Sequence, residues 1–269
     1  QNKLKHSLEA NVPANARIDP DAGVFLWTPT REQAPSTNLI TIRVTDDGAP
    51  ALSDTKSFTV IVKDFVELIA GSAVMRAGTS NSVSLEMISS ASLTEFHCVL
   101  SYPDARLTNL TFESLAPGTA LVALSSFEPN AATLSVVALP GQALQGTQEI
   151  ARLHFTAVAG QGSALVSLRF DEMTCTRLHA GLAPSYLANT GNVAIIAEQP
   201  FLTALQANNG QRSLLLYGKT NTPYWVDFTT NYIDQPDWIG WRQIIMTNLV
   251  ERLEGLHENA PMIFYRMRE

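Results

Sequence analysis

Charged side chains, cysteines, clustered histidines and long apolar runs are all scarce in this chain of 269 residues. Charged residues make up 16% of it, below the quarter or so usual for globular domains. Asp and Glu number 25 against 18 for Lys and Arg, a net charge of −7. With no basic cluster, the chain lacks the electrostatic footprint that nucleic acid or an anionic membrane surface requires. No apolar run approaches the roughly 18–20 residues that cross a bilayer. The opening stretch, QNKLKHSLEA, is polar and has no signal-peptide pattern. Only Cys98 and Cys175 carry thiols. Their spacing leaves two readings open: two buried free thiols acting as small hydrophobes, or one disulfide in an oxidising compartment.

Catalytic signatures are missing as well. There is no Gly-x-Ser-x-Gly elbow, His-Glu-x-x-His pair, Cys-x-x-Cys pair or phosphate-binding glycine loop. AGQGSA (159–164) reads as a hairpin turn. His97 and His154 lie in strand patterns and read as outward or satisfied side chains rather than ligands. Asp171 and Glu172 are adjacent, so on a strand they point to opposite faces and make a poor acid–base pair. The expectation is a non-enzymatic chain that needs no cofactor, calcium excepted.

What the chain does have is alternation. LITIRVT (39–45), SFTVIV (57–62), SVSLEM (82–87), FHCVLSY (96–102), TLSVVAL (133–139), IARLHFTAV (150–158), ALVSLRF (164–170), RSLLLYG (212–218) and MIFYRM (262–267) all repeat with period two. Period two marks half-buried strands, and turn signals between them point to β-sandwiches. The best helical candidate, NLVERLEGLH (248–257), is explained as well by an edge strand and a turn. Breaks at Phe65 and at Gln199-Pro200 divide the chain into modules 1–65, 66–198 and 199–269. The expected fold is all-β, with three β-sandwich modules in series.

The acidic stretch VTDDGAP (44–50) reads as a turn, because Asp side chains bond nearby amides and Gly admits positive φ. IDPDAGVFLWTPT (18–30) followed by ITIRVTDDGAPALSDTKSFTVIV (40–62) resembles the dystroglycan-type, cadherin-like modules of bacterial surface proteins. The resemblance covers the back two-thirds of such a module and lacks its opening strand, so Gln1 is expected to lie inside a longer protein. Trp27 is expected to plug the sandwich core. The resemblance implies a calcium site from Asp46, Asp64 and Glu67. Three carboxylates fall short of the six to eight oxygens calcium takes, so solvated turn acids remain the other reading.

GSAVMRAGTSNSVSLEM (71–87), LTEFHCVLSYPDARLTNL (93–110), LSVVAL (134–139) and QEIARLHFTAVAGQGSALVSLRF (148–170) are similar to the cohesin-like β-sandwiches of bacterial scaffolding and surface proteins. That resemblance implies that the strand of Cys98 lies beside the strand of Cys175. A Cys98–Cys175 disulfide is then expected, worth about 4 kcal/mol in the chain-entropy account. It also implies docking of a protein partner through one sheet face, carbohydrate binding, or simple spacing.

LLLYGKTNTPYWVDFTTNYIDQPDWIGWRQIIMTN (214–248) with FYRMRE (264–269) resembles a small β-module found at the C-terminus of secreted planctomycete and verrucomicrobial proteins, so Glu269 is expected to be the natural end. Trp225, Trp238 and Trp241 crowd into it with Tyr224, Phe228 and Tyr232. They read either as a glycan platform or as the core of a module too small to fold without large rings. The resemblances together imply a non-catalytic adhesion, spacing or assembly region of a secreted or cell-surface bacterial protein. Its expected partners are other chains of the assembly or cell-surface proteins. The alternative is a polysaccharide-binding accessory to a degrading enzyme.

Overall fold

The structure is a computed structural model that describes residues 3–115, 119–207, 210–232, 236–256 and 262–269. Apart from a short 3-10 turn at Arg31–Gln33, every regular element among them is a strand. Strand pairing falls into three groups, with no pairing between groups.

The first group comprises β1 (Leu4–Leu8), β2 (Arg17–Ile18), β3 (Phe25–Leu26), β4 (Ser36–Asp46) and β5 (Ser53–Val62). β1, β4 and β5 form an antiparallel sheet, and β2–β3 is a separate two-stranded ribbon. Phe25 of the ribbon meets Phe58 of the sheet edge-on at 5.5 Å. A two-stranded ribbon cannot cover the sheet, so Ile40 is the one fully enclosed hydrophobe of this group, while Phe58 stays 40% exposed. Trp27, expected as a core plug, is half-buried and helps line a surface cleft with Asn15, Arg17, Leu26 and Thr28. Without a full second layer there is no interior for it to fill.

The second group comprises β6 (Phe65–Ala70), β7 (Ala73–Arg76), β8 (Ser80–Ser101), β9 (Leu107–Ser114), β10 (Thr119–Glu128), β11 (Ala131–Ala138), β12 (Leu144–Ala157), β13 (Ala164–Arg177), β14 (Ser185–Asn189) and β15 (Gly191–Ile196). The organising element is β8. The stretches 82–87 and 96–102, which read as two strands, are one strand of 22 residues. Its first half pairs with β12 and β6, and its second half with β11 and β13. β8 therefore belongs to both layers of a sandwich, β9–β12–β8–β6–β14 and β10–β11–β8–β13–β15–β7. The small run Ser89-Ser90-Ala91-Ser92 marks the changeover, where the Ser89 hydroxyl donates to the Ala91 carbonyl at 2.7 Å. Alternation in β11 and in the two halves of β8, which differ in phase across Thr94–Glu95, sends Leu85, Met87, Phe96, Leu100, Leu134 and Val136 into one continuous core. Gly191 opens β15 against the Gly71 carbonyl and the Ala70 side chain. A Cβ there would stand 2.7 Å from the Ala70 Cβ, so only glycine permits this approach.

The third group comprises β16 (Phe201–Gln206), β17 (Arg212–Tyr217), β18 (Pro223–Thr229), β19 (Ile239–Ile245), β20 (Val250–Leu253) and β21 (Phe264–Arg268). Two three-stranded sheets, β16–β17–β20 and β19–β18–β21, close on Leu214, Leu216, Tyr224, Val226, Met246 and Leu253. Of the best helical candidate, 248–257, Val250–Leu253 form β20, and residue 257 lies outside the described residues.

Candidate functional site

The three acids expected to share calcium do not meet. β4 and β5 pair over ten residues, so Asp46 at the hairpin turn and Asp64 beyond the open end stand about 30 Å apart. Asp46 Oδ1 accepts from the amides of Gly48 (3.1 Å) and Leu52 (2.8 Å), the turn role its sequence implied. Asp64 is 7% exposed. It accepts from the Ser90 hydroxyl at 2.9 Å and from Arg177 Nη2 at 2.7 Å. Glu67 is 3% exposed, and both its oxygens face Arg31 Nη2, at 2.8 and 2.6 Å. Asn189 Nδ2 adds a third contact, at 2.7 Å. Burial demands a partner for each carboxylate, and arginines supply it where the resemblance implied an ion. Arg31 belongs to the first group and Glu67 to β6, so this pair ties the first two modules together. Among the described residues no group of three or more His, Cys, Asp or Glu side chains is placed to hold a metal.

The thiols lie on neighbouring strands, as the cohesin-like resemblance implied, but the disulfide is not formed. Phe96, not Cys98, stands opposite Cys175, and both thiols are free. Diagonal neighbours on a sheet sit about 7–8 Å apart, beyond the roughly 4.4–6.8 Å between the Cα atoms of a bridge. A bulge between Asp171 and Thr174, with Glu172 at φ 51°, sets this offset. Burial, with a smaller push from Asp171, raises the Cys98 thiol to about 12. The Tyr186 hydroxyl donates to Cys175 Sγ at 3.3 Å. Its own proton is held up to about 12, by burial first and then by that bond.

The outer face of β10–β11–β8–β13 is one of the two outer faces of the sandwich. Alternation turns Glu95, His97, Val99, Thr133, Ser135 and Thr174 outward. A lateral polar net crosses it. His97 Nδ1 meets Ser135 Oγ at 3.0 Å, and the Thr176 hydroxyl donates to Glu95 at 3.3 Å. The Ser101 hydroxyl donates to Asp171, also at 3.3 Å. His97 and His154 are thus outward and partnered, the latter with Glu113 at 3.2 Å. The third module covers only the β15–β7 edge of this layer, where Ala194, Ile196 and Val74 pack with Tyr217 and Phe201. The first module sits by β6 and β14 of the other layer. Among the described residues neither packs on the β10–β11–β8–β13 face.

The third module separates its tryptophans. Trp225 projects from the outer face of β18, 39% exposed, with Arg268 lying 5.5 Å from its ring centre. Trp238 carries the Arg266 guanidinium 4.4 Å above its ring. Trp241 follows the other of the two readings: it packs against the module core and lies 5.6 Å from Tyr265. The pairing explains this: Val226 faces Arg242 and Asp227 faces Gly240, so Trp241 is the extra residue of a bulge and turns inward. Asp227, 2% exposed, is the residue the sequence reading missed. Its Oδ2 accepts from Arg266 Nε (3.1 Å), Arg266 Nη2 (3.0 Å) and Arg268 Nε (3.0 Å). Burial pushes this carboxyl up, but the bonds and charges of Arg268 and Arg266 prevail and hold it below the ordinary value of 3.8. The signal was present as an acid inside an apolar β18 pattern facing two arginines on β21, but the pairing of these strands is a tertiary fact.

No family model and no curated protein matches the chain. Solved structures do, over about half of it. The likeness is to cohesins. A Pseudobacteroides cellulosolvens type I cohesin superposes with TM-score 0.42 at 15% identity, over 51% of this chain and 96% of its own. A non-cellulosomal cohesin from Archaeoglobus fulgidus gives 0.40 at 18%, over 49% and 91%. A type I cohesin–dockerin complex from Clostridium thermocellum gives 0.43 at 12%, over 49% and 93%. No helix among the described residues is long and apolar enough to cross a membrane.

Proposed function

We propose that this chain is a non-catalytic interaction and spacing region of a secreted or cell-surface bacterial assembly, whose central sandwich docks a protein partner. The observation that carries this reading is the open face of β10–β11–β8–β13. It carries hydroxyls and small apolar groups, and among the described residues neither flanking module packs on it. Such a face suits docking: short side chains lose little rotamer entropy on burial. The hydroxyls can bond a partner's backbone, and Val99 and Val137 add apolar area. The flanking modules serve as spacers, one tied by the Arg31–Glu67 ion pair and the other by the Tyr217 cluster.

Photo-crosslinking residues placed at 99 and 135, and as controls at 82 and 154 on the opposite layer, test this in the producing cells. The expected result is protein adducts from 99 and 135 and none from 82 and 154. Adducts from the control positions alone, or from none of the four, sink the reading.

A further inference from the structure

We infer that the outer face of the third module holds a carbohydrate site that takes a pyranose ring of a polysaccharide. A cleft of about 650 Å³ opens there, lined by Tyr232, Pro236, Trp238, Phe264, Tyr265 and Arg266. This volume falls in the range of small-ligand sites. Among the described residues the walls are rings, one proline and one guanidinium. Aromatic faces carry negative charge density and attract the polarised C–H groups of a sugar face. The Arg and Tyr tips around them meet hydroxyls at the ring edge.

Tyr232 is 57% exposed. One side of its ring lies against Phe264 (4.8 Å, 31°), and it meets Trp238 at a right angle (6.2 Å, 83°). Its exposure leaves the other side open for stacking. The wall behind it is held rigid. Asp227 is buried and grips Arg266 through two hydrogen bonds, and Arg266 lies over Trp238. Rigidity before binding saves the entropy of ordering these rings on contact. Among the described residues Asp227 Oδ1 has no hydrogen-bond partner, although it is buried. All three arginine donors converge on Oδ2, so the carboxylate is spent on aiming the arginines rather than on satisfying itself.

The same arrangement argues against other ligands. A quaternary ammonium would seek the aromatic faces, but Arg266 already places positive charge on Trp238. An aliphatic ligand would gain nothing from the polar tips. Trp225 stands on the same face of β18, two residues from Asp227, hence about 7 Å along the strand. It offers a second ring to a longer chain of sugars.

The test is electrophoresis of the full chain through gels cast with hydroxyethylcellulose, a neutral β-glucan derivative, or with polygalacturonate, an acidic polysaccharide. Retardation is expected in at least one gel. The neutral arm alone means stacking suffices, and the acidic arm alone means that Arg266 reads a carboxylate. Tyr232→Ala and Trp238→Ala should each weaken retardation about tenfold, the loss of one ring contact. Trp238→Phe, which keeps a ring, should restore most of it. Val99→Ser, on the central sandwich, should leave it unchanged and so separates this site from the protein-docking face. No retardation in either gel, or retardation unaffected by both alanine variants, overturns the proposal.

Discussion

At the residue scale the decisive groups are buried carboxylates with arginine partners. Arg177 Nη2 holds Asp64, with the two side chains 20% and 9% exposed. Arg177→Ala should cost about 3–5 kcal/mol, because it leaves a buried charge unpaired. Chemical denaturation read against Arg169→Ala, whose exposed partner contributes little, checks this. Asp227 makes a pH prediction. Its folded-state pKa lies below 3.8, so its contribution is fully present above the unfolded value and is lost as pH falls through the folded one. Melting followed by tryptophan fluorescence should show the third module losing stability below about pH 4. Asp227→Asn should be less stable at neutral pH and flatter in acid. Cys98, raised to about 12, carries almost no thiolate at pH 8. Iodoacetamide should label it only after unfolding, and denaturation without reductant should then expose two reactive thiols, as counted by mass.

At the element scale, the long bent strand and the thin first sheet account for most of what the sequence concealed. Period-two alternation located β4, β5, β11, β12, β13 and β17, because side chains in each alternate between core and solvent. The same signal split β8 in two: it reports which side chains point inward, and that pattern changes phase between Leu93 and Phe96, where neither Thr94 nor Glu95 is buried. The core depth of the first module was not visible in its pattern. Ile40, Ile42 and Val44 alternate as core residues do, yet only Ile40 is fully enclosed, since nothing but a short ribbon opposes them. Local stability follows buried apolar contact. Amide hydrogen exchange should therefore be fastest, among the long strands, in β4 and β5, and slowest in β8 and β12. Equal protection of β4 and β8 would contradict this.

At the scale of the whole molecule, the seams decide how the modules behave together. Tyr217 and Phe201 stack at 4.6 Å and 10° and pack on Ala194 and Ile196 of the sandwich. The central and third modules should therefore unfold in one calorimetric transition. Tyr217→Ala, which removes about 3–5 kcal/mol of packing, should split it in two. Two transitions already present in the unaltered chain would show that the seam does not couple them.

The sequence by itself determined that this is an all-β chain without a membrane-length helix or a recognisable catalytic motif, and where most strands run. Those properties follow from composition and from periodicity, which act residue by residue along the chain. The tertiary structure alone decided which partners the charged and aromatic groups found. Asp64 and Glu67 met arginines distant in sequence, Cys98 lay two residues from the partner of Cys175, Trp241 turned inward at a bulge, and Asp227 became the anchor of a ring-lined cleft. Each outcome depends on the register between strands far apart in sequence. A shift of one residue in register exchanges the faces of a strand, and no local pattern records that choice.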